Sequence, residues 1–433
     1  MAEQTPIASV LFVTLGCAKN EVDTDRMRAL LLKAGFSEAA DPEEADVAIV
    51  NTCGFIDTAK SEAIDQILQL AEVKKAGGLK KILVAGCLSQ RYKNDILESL
   101  PEVDGMLGTG SFGEICQAVE DVMHDGRPLY FGDKSAPIEE IGRVITTGPG
   151  WAYLRIAEGC DNWCAFCAIP AIRGRYRSRA LDAIVQEAKE LAALGVKELI
   201  VIAQDITRWG LDIYGKPSLA LLLRELVKVE GIRWIRLHYL YPEIMDDELI
   251  DLIADEDKIV KYLDIPIQHI NNDILRRMNR HCTGDEIRAL LQKLRARIPG
   301  LVLRTSLITG LPGEGEAEFE QLCVWLREAR LERVGVFPVL PRGGDARRQD
   351  DRPLRARGGA APCRSHPRAA GRDHGRLQRR LHRAGHDRAL RAHDQERDVL
   401  RPHVCRLPRD RRHGLLHRHG QARRHGHGAH HRL

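Results

Sequence analysis

Short apolar runs that end at a cysteine recur through the first ninety residues. Val10–Thr14 leads into Leu15-Gly16-Cys17, Val47–Asn51 into Thr52-Cys53, and Lys81–Ala85 into Gly86-Cys87. Apolar runs without alternation read as strands buried on both faces, the pattern of a parallel sheet. Residues Glu21–Ala34 and Asp57–Lys75, lying between them, carry a helical period. Strand and helix alternate, which predicts an α/β fold with a doubly wound parallel sheet. A second series begins at Trp151–Ile156. Further strand patterns follow at Glu198–Ala203, Trp234–His238, Tyr262–Ile265, Val302–Leu307 and Arg333–Phe337. Amphipathic helical patterns at Leu181–Leu194, Leu219–Val229 and Gly284–Arg297 intervene. Six such units predict a partial (β/α)6 barrel with its chemistry at the strand C-terminal ends. The expected division is a sheet domain at 8–125, a linker at 126–150, the partial barrel at 151–337 and a tail at 338–433.

Cysteine placement supplies candidate chemistry. Cys160, Cys164 and Cys167 follow the first barrel strand with C-x3-C-x2-C spacing, and Phe166 precedes the last of them. Thiolates hold iron–sulfur clusters, four of them for a [4Fe–4S] cube. Three from one tight loop leave one iron open to a cofactor or substrate, much as an open position marks a catalytic zinc. A structural zinc loop is the alternative, opposed by the lack of a fourth Cys or His nearby in sequence. Cys17, Cys53 and Cys87 each end a strand, at the edge where doubly wound sheets hold ligands. One cysteine there reads as a small core residue. Three in the same relative place point to a second open-iron cluster. The helix N-termini that follow are expected to favour thiolates. Cys116, Cys282 and Cys323 sit in apolar or helical contexts and read as packing residues. The run Arg173-Gly-Arg-Tyr-Arg-Ser-Arg179 reads either as a contact for an acidic or phosphate-bearing partner or as a solvated surface.

Composition then divides the chain. Of its 433 residues, 338–433 hold 25 Arg, no Lys, nine acidic residues and 13 of the 17 His. That segment is +16, so the first 337 residues are −12 within a total of +4. From Pro338 onward Lys, Ile, Phe, Tyr, Trp, Met, Asn and Thr are absent. Such a segment lacks the apolar surface to offset its ordering entropy. It reads as a disordered, out-of-frame translation, with a His-rich metal tract or a basic nucleic-acid arm as the alternative. No apolar run is long enough to cross a bilayer, and the first residues lack a signal-peptide pattern. Eleven Cys without an export signal fit reduced thiols and a cytoplasmic location.

The C-x3-C-x2-C loop with Phe166 looks like the radical S-adenosylmethionine (SAM) signature. Adding Thr14–Asp23, Asn51–Phe55 and Gly86-Cys87, residues 8–338 resemble the radical-SAM methylthiotransferase family. Ala157–Cys160, Ile172–Gly174 with Arg177–Arg179, Gln204–Gly210 and Tyr262–His269 look like one branch of it. That branch modifies an aspartate of small-subunit ribosomal protein twelve. Sister branches, which methylthiolate tRNA adenosine, more usually carry Gly-Gln-Asn where this chain has Ala203-Gln204-Asp205.

The resemblance implies two [4Fe–4S] clusters and SAM. One cluster would sit on Cys160, Cys164 and Cys167, where SAM binds and a radical forms. The other would sit on Cys17, Cys53 and Cys87 and hold or donate the sulfur, which a second SAM methylates. Phe166, Gln204, Gln268, Ser306, Gly310 and Glu314 are the implied SAM contacts, and no acid–base catalyst is expected. The implied partners are small-subunit ribosomal protein twelve and a low-potential electron donor, with no membrane and no nucleic-acid substrate. Two alternatives stand beside this reading: tRNA methylthiolation, and a truncated product keeping only cluster binding and SAM cleavage. The −12 body opposes the first, because RNA binding draws on basic surfaces. The family normally ends in a small β-barrel, the TRAM domain, whose place the Arg/His-rich tail takes here. A GC-rich coding of Val339–Ala346, read one base later, gives Tyr-Ser-Pro-Glu-Glu-Gly-Thr. After Val336-Phe-Pro338 that restores a family-like continuation, so a one-base frameshift is expected near Pro338.

Overall fold

The structure, a computed structural model, describes residues 7–148 and 150–339. The reading of the tail therefore lies, from Leu340 onward, outside the described residues.

The first sheet holds β1 (Ser9–Thr14), β2 (Ser37–Glu38), β3 (Val47–Thr52), β4 (Lys81–Gly86), β5 (Gly105–Leu107) and β6 (Leu129–Tyr130). All pairings are parallel, in the order β2-β1-β3-β4-β5-β6. Four helices cover it: α1 (Ala18–Ala34), α2 (Asp57–Lys75), α3 (Cys87–Ser99) and α4 (Ile115–Met123). The side chains of β3 show how both faces are buried. Val47 and Ile49 enter one core with Met27 and Leu31 of α1 and Ile115 and Val119 of α4. Ala48 and Val50 enter the other with Ala63 and Ile67 of α2 and Leu88 and Ile96 of α3. This is the doubly wound sheet expected from the apolar runs. Its strand order reverses between β1 and β3, where such folds open their ligand crevice. Cys17 follows β1 and Cys53 follows β3.

Residue 130 lies inside the expected linker, yet it closes this sheet as the end of β6. The segment beyond it has no regular element but is tied down at several points. Val144 N–H donates to Asp25 O at 3.2 Å. Arg143 reaches Tyr153 O at 2.6 Å and Glu187 at 3.0 Å, and Thr146 Oγ1 reaches Asp25 at 3.0 Å.

The second sheet is built from β7 (Trp151–Arg155), then, after a short antiparallel pair β8 (Ala157–Glu158) and β9 (Arg177–Ser178), from β10 (Glu198–Ile202), β11 (Trp234–Leu237), β12 (Ile259–Asp264), β13 (Val302–Thr309) and β14 (Arg333–Pro338). Its six strands are parallel and follow chain order. Helices Leu181–Ala193, Leu219–Leu226, Asp247–Asp255, Gly284–Arg297 and Glu316–Ala329 lie between them. Their apolar stripes join one core, for instance Ile184, Leu223, Ile250, Leu291 and Trp325. β10, Glu-Leu-Ile-Val-Ile, is buried at every position, as a central parallel strand should be. A small apolar seam then joins the two sheets: Val22 of α1 packs with Ile200 and Ile202 of β10, flanked by Tyr153 and Tyr239.

Candidate active site

Cys17, Cys53 and Cys87 converge where the first sheet ends. Cys17 is the N-cap of α1 and Cys87 the first residue of α3. Gly16, just before Cys17, is at φ +103°, and a Cβ there would lie 2.7 Å from the Cβ of Cys53. Only glycine allows the β1 and β3 ends to approach so closely. Asn20 stitches the same loops, donating to Leu15 O at 2.8 Å and Thr52 O at 3.0 Å. Its Oδ1 is 3.9 Å from the sulfurs of both Cys17 and Cys87. Cys17 is exposed, Cys53 half-buried and Cys87 buried. At Cys53 and Cys87 burial works against the thiolates that the helix N-termini were expected to favour. Burial pushes the Cys53 thiol up, and takes Cys87 up to about 12 although Arg173 pulls it back. Desolvation outweighs the helix end when the sulfur is out of water.

Cys160, Cys164 and Cys167 lie in the loop that leaves β8. The β8–β9 pair closes the base of that loop. Gly159, at φ +74°, lies so close to the returning chain that a Cβ would stand 2.0 Å from Arg175 O. Cys160 N–H donates to Gly174 O at 3.2 Å, Cys167 N–H to Cys164 O at 2.9 Å, and Ala165 N–H to Met278 O at 3.0 Å. Asn162, between the first two cysteines, donates to buried Asp205 at 3.0 Å. Asp205, just past β10, also accepts from Thr207 N–H at 3.0 Å. Tyr241 Oη lies 3.6 Å from Cys164 Sγ, and Arg280 stacks 4.2 Å above the Tyr241 ring. Burial takes the Cys160 thiol up to about 12, with nearby Asp205 and Cys164 adding to it.

A buried ion network joins the two cysteine sets. Arg173 donates to Asn20 at 2.8 Å, Asp23 at 2.9 Å and Glu158 at 3.0 Å. Arg155 donates to Asp23 and, at 2.8 Å, to Glu158. Glu158 also accepts from Gly159 N–H and from Gln204, each at 3.0 Å. Burial raises the Glu158 carboxyl, but Arg173 and Arg155 more than offset it and hold it down at about 2. The basic run is thus divided, its first and last arginines internal and the two between them at least partly open. Arg173 is spent in this network, and Arg179 is buried against Glu140 and Glu187. Arg175 alone is largely open, beside Asp161. Asn20 and Asp23 stood inside the motifs above, but Arg155 and Arg173, which meet them here, lie some 130 residues away or more along the chain, and local spacing carries no trace of that.

Of the remaining candidates, Ser306 lies inside β13, Phe166 on the cluster loop, and Gln204, Gln268, Gly310 and Glu314 past the ends of strands of the second sheet. Phe166 packs against Ile274, Met278 and Leu311. Gln204 keeps a buried Oε1 without a partner. Gln268, at φ +71°, donates its N–H to Ser306 O at 2.9 Å and accepts from Ile308 at 2.8 Å. Gly310 and Leu311 donate to Glu314 at 2.5 and 3.1 Å, so this carboxylate folds back on its own turn. Buried His269 accepts from Asn271 N–H at 3.0 Å, with Nε2 3.5 Å from Glu314.

Residues 9–108 match the family described as Uncharacterized protein family UPF0004, and residues 154–326 match the Radical SAM superfamily. The chain is 50% identical over 329 residues to the ribosomal protein uS12 methylthiotransferase RimO of Lachnoclostridium phytofermentans, covering 76% of this chain and 75% of that one. It is 49% identical over 340 residues to the protein of that name from Pelotomaculum thermopropionicum, covering 77% and 76%. The chain belongs to the radical-SAM methylthiotransferase family. Solved structures support the fold. TsrM of Kitasatospora setae, a radical SAM methyltransferase, superposes with a TM-score of 0.58 at 14% identity, over 77% of this chain and 75% of that one. Members of the methylthiotransferase family are enzymes that use SAM and [4Fe–4S] clusters, and the donor chemistry here suits such groups. Each rim presents three thiols, and the Gly16 and Gly159 approaches leave no room for a side chain where the sulfur-bearing loops meet.

Proposed function

We propose that the chain adds a methylthio group to the β-carbon of an aspartyl side chain in ribosomal protein uS12, the protein its relatives are named for. Cys160, Cys164 and Cys167 hold the [4Fe–4S] cluster that binds SAM. Cys17, Cys53 and Cys87 hold the second cluster. Phe166, Gln204, Gln268, Ser306, Gly310 and Glu314 line the SAM side of the barrel rim. The observation that carries this reading is the Arg173 bridge, which ties both three-cysteine rims into one site.

When bound, these cofactors supply the sulfur and the one-electron chemistry needed at a C–H bond that no acid or base can ionise. The chain's own residues bind, orient and shield. The Asp205–Asn162 bond fixes the loop between Cys160 and Cys164, and Tyr241 under Arg280 closes one side of Cys164. Phe166 offers an apolar wall continuous with Met278 and Leu311. Arg173 places a permanent positive charge beside Cys87, where bound thiolates gather negative charge. Among the described residues no helix is long and apolar enough to cross a membrane. The reaction also requires a low-potential electron donor from outside the chain.

The test is anaerobic reconstitution, followed by iron and sulfide content, SAM cleavage and mass spectrometry of uS12. Iron for two [4Fe–4S] clusters and one added methylthio group on an aspartate are expected. Cys160→Ala should abolish SAM cleavage, whereas Cys17→Ala should keep cleavage and lose modification. Iron for a single cluster that survives Cys17→Ala intact would sink the assignment, and modification of tRNA instead of uS12 would replace the substrate.

A further inference from the structure

Lys19 is the second residue of α1 and stands two positions past Cys17. Its side chain is buried, at 6% exposure. The ammonium lies 3.4 Å from the centre of the Tyr239 ring, just past the end of β11. A residue of the first domain thus reaches into the strand-end rim of the second. The charged groups that act on it are Cys17, Arg173, Glu158 and Asp264, drawn from both domains. None is an ion-pair partner: among the described residues Lys19 has no ion pair and no hydrogen bond. Its one contact of this kind is the ring face.

That arrangement is incomplete as chemistry. An ammonium has three N–H donors, and a ring face satisfies one direction. Nε2 of the neighbouring His238 is fully buried without a partner, but the Lys19 Nζ is not among such atoms, so the side of the ammonium away from the ring is open to solvent. The acidic groups nearby are already engaged, Glu158 by two arginines and Asp264 by Arg304 at 2.7 Å. The open side of the ammonium is thus free to meet an anion from outside the chain, at the point where α1 faces the end of β11.

We propose that Lys19 receives the side-chain carboxylate of the substrate and makes this site select an acidic residue. The inference rests on the aspartyl-substrate reading above. A carboxylate held by Lys19 would lie at the start of α1, which Cys17 caps, and beside Tyr239 at the end of β11. A cluster sulfur is the other anion that this ammonium is placed to meet, and the experiment separates the two.

The measurement is peptide affinity on the reconstituted full chain, by fluorescence anisotropy under anaerobic conditions. The probes are a peptide carrying the uS12 target aspartate and the same peptide with asparagine in its place. The parent should prefer the aspartate peptide. Lys19→Met should weaken it by about thirtyfold or more, as for a buried charge pair that loses one partner, and bind both peptides alike. Lys19→Arg should retain part of the preference. Iron content is read in parallel. A Lys19→Met protein that keeps the aspartate preference overturns the proposal. If it also loses iron from the Cys17 rim, the ammonium serves the cluster. A parent without any aspartate preference would instead defeat the substrate reading, and this inference with it.

Discussion

Arg173 of the barrel donates to Asp23 of the N-terminal helix across 2.9 Å, with both side chains almost wholly out of water. The pair lies in the ion network between the two cysteine rims, beside a parallel route from Asp23 through Arg155 to Glu158. A guanidinium suits the place because its planar fork meets Asn20, Asp23 and Glu158 at once. A lysine offers one point charge.

Arg173→Met should therefore cost about 3–5 kcal/mol of stability, the usual penalty for leaving a buried charge unpaired. It should also lower iron retention at the Cys17 rim, because the charge beside Cys87 is gone. Arg173→Lys should recover little of either. Denaturant melts and iron content check both effects. A lysine variant as stable and iron-rich as the parent would show that charge alone suffices.

Two buried carboxylates predict opposite pH behaviour. Glu158 is held at about 2 in the fold, below its ordinary 4.5. Its stabilising share is present above 4.5 and lost as pH falls through about 2. Asp25 is raised by burial from 3.8 to about 6, against the pull of Arg143, Thr146 and Arg28. The fold disfavours its charged form, so stability is gained as pH falls from about 6 towards 3.8. Apo-protein melts across this range should show Asp25→Asn flattening the profile between about 4 and 6. Glu158→Gln should flatten it below 4.5, its ordinary value. A parent profile without these two slopes, or variants that track it, would refute the assignment.

The glycines before the first cysteine of each set give separable lesions. At Gly159 an added Cβ meets Arg175 O at 2.0 Å, and at Gly16 it meets Cys53 Cβ at 2.7 Å. Both backbones are also in the left-handed region, where a side chain costs about 1–2 kcal/mol. Gly159→Ala should abolish SAM cleavage while the Cys17 rim keeps its iron. Gly16→Ala should do the reverse. Identical losses in both variants would mean that the rims do not load independently.

The thiols buried at both rims make loading a proton-releasing event. Cys87 and Cys160 are each pushed up to about 12 by burial, so the apo-protein carries them protonated. Iron binds thiolates, and each such bond expels a proton. Reconstitution in a weakly buffered solution should acidify it, and iron uptake should fall as the pH is lowered. Uptake that is indifferent to pH would mean the loops open and expose these sulfurs before metal arrives.

Much of this was legible along the chain. β3 and β10 announce themselves because strands buried on both faces must be apolar throughout. The six cysteines are readable because each follows such a strand or sits in one loop. β2, β5 and β6 were not, since two or three residues carry no period. Nor was the fate of Arg173 and Arg179. A run of arginines looks the same whether water receives it or, as at Arg173, an Asp23 150 residues away. Lys19 sat in a quoted motif without a role, because its meaning depends on Tyr239, more than two hundred residues later.

The last prediction concerns the chain beyond Pro338. The match to the relatives ends having used about three quarters of this chain, 76% for the Lachnoclostridium protein. The 25 arginines and 13 histidines of 338–433 fit a shifted reading frame. The two rims lie wholly within residues 17–167, and the strands that complete the barrel end at Pro338. Cluster loading and SAM cleavage should then be the same in this chain and in one whose frame is restored after Pro338. Substrate handling should differ, because a restored domain adds a second, tethered contact, worth a factor of about a hundred in apparent affinity. The comparison is KM for uS12 against iron content in the two proteins. Equal KM values would show that residues 338–433, whatever their origin, cost the enzyme nothing in docking. A gene that reads through this region in one well-supported frame would remove the premise.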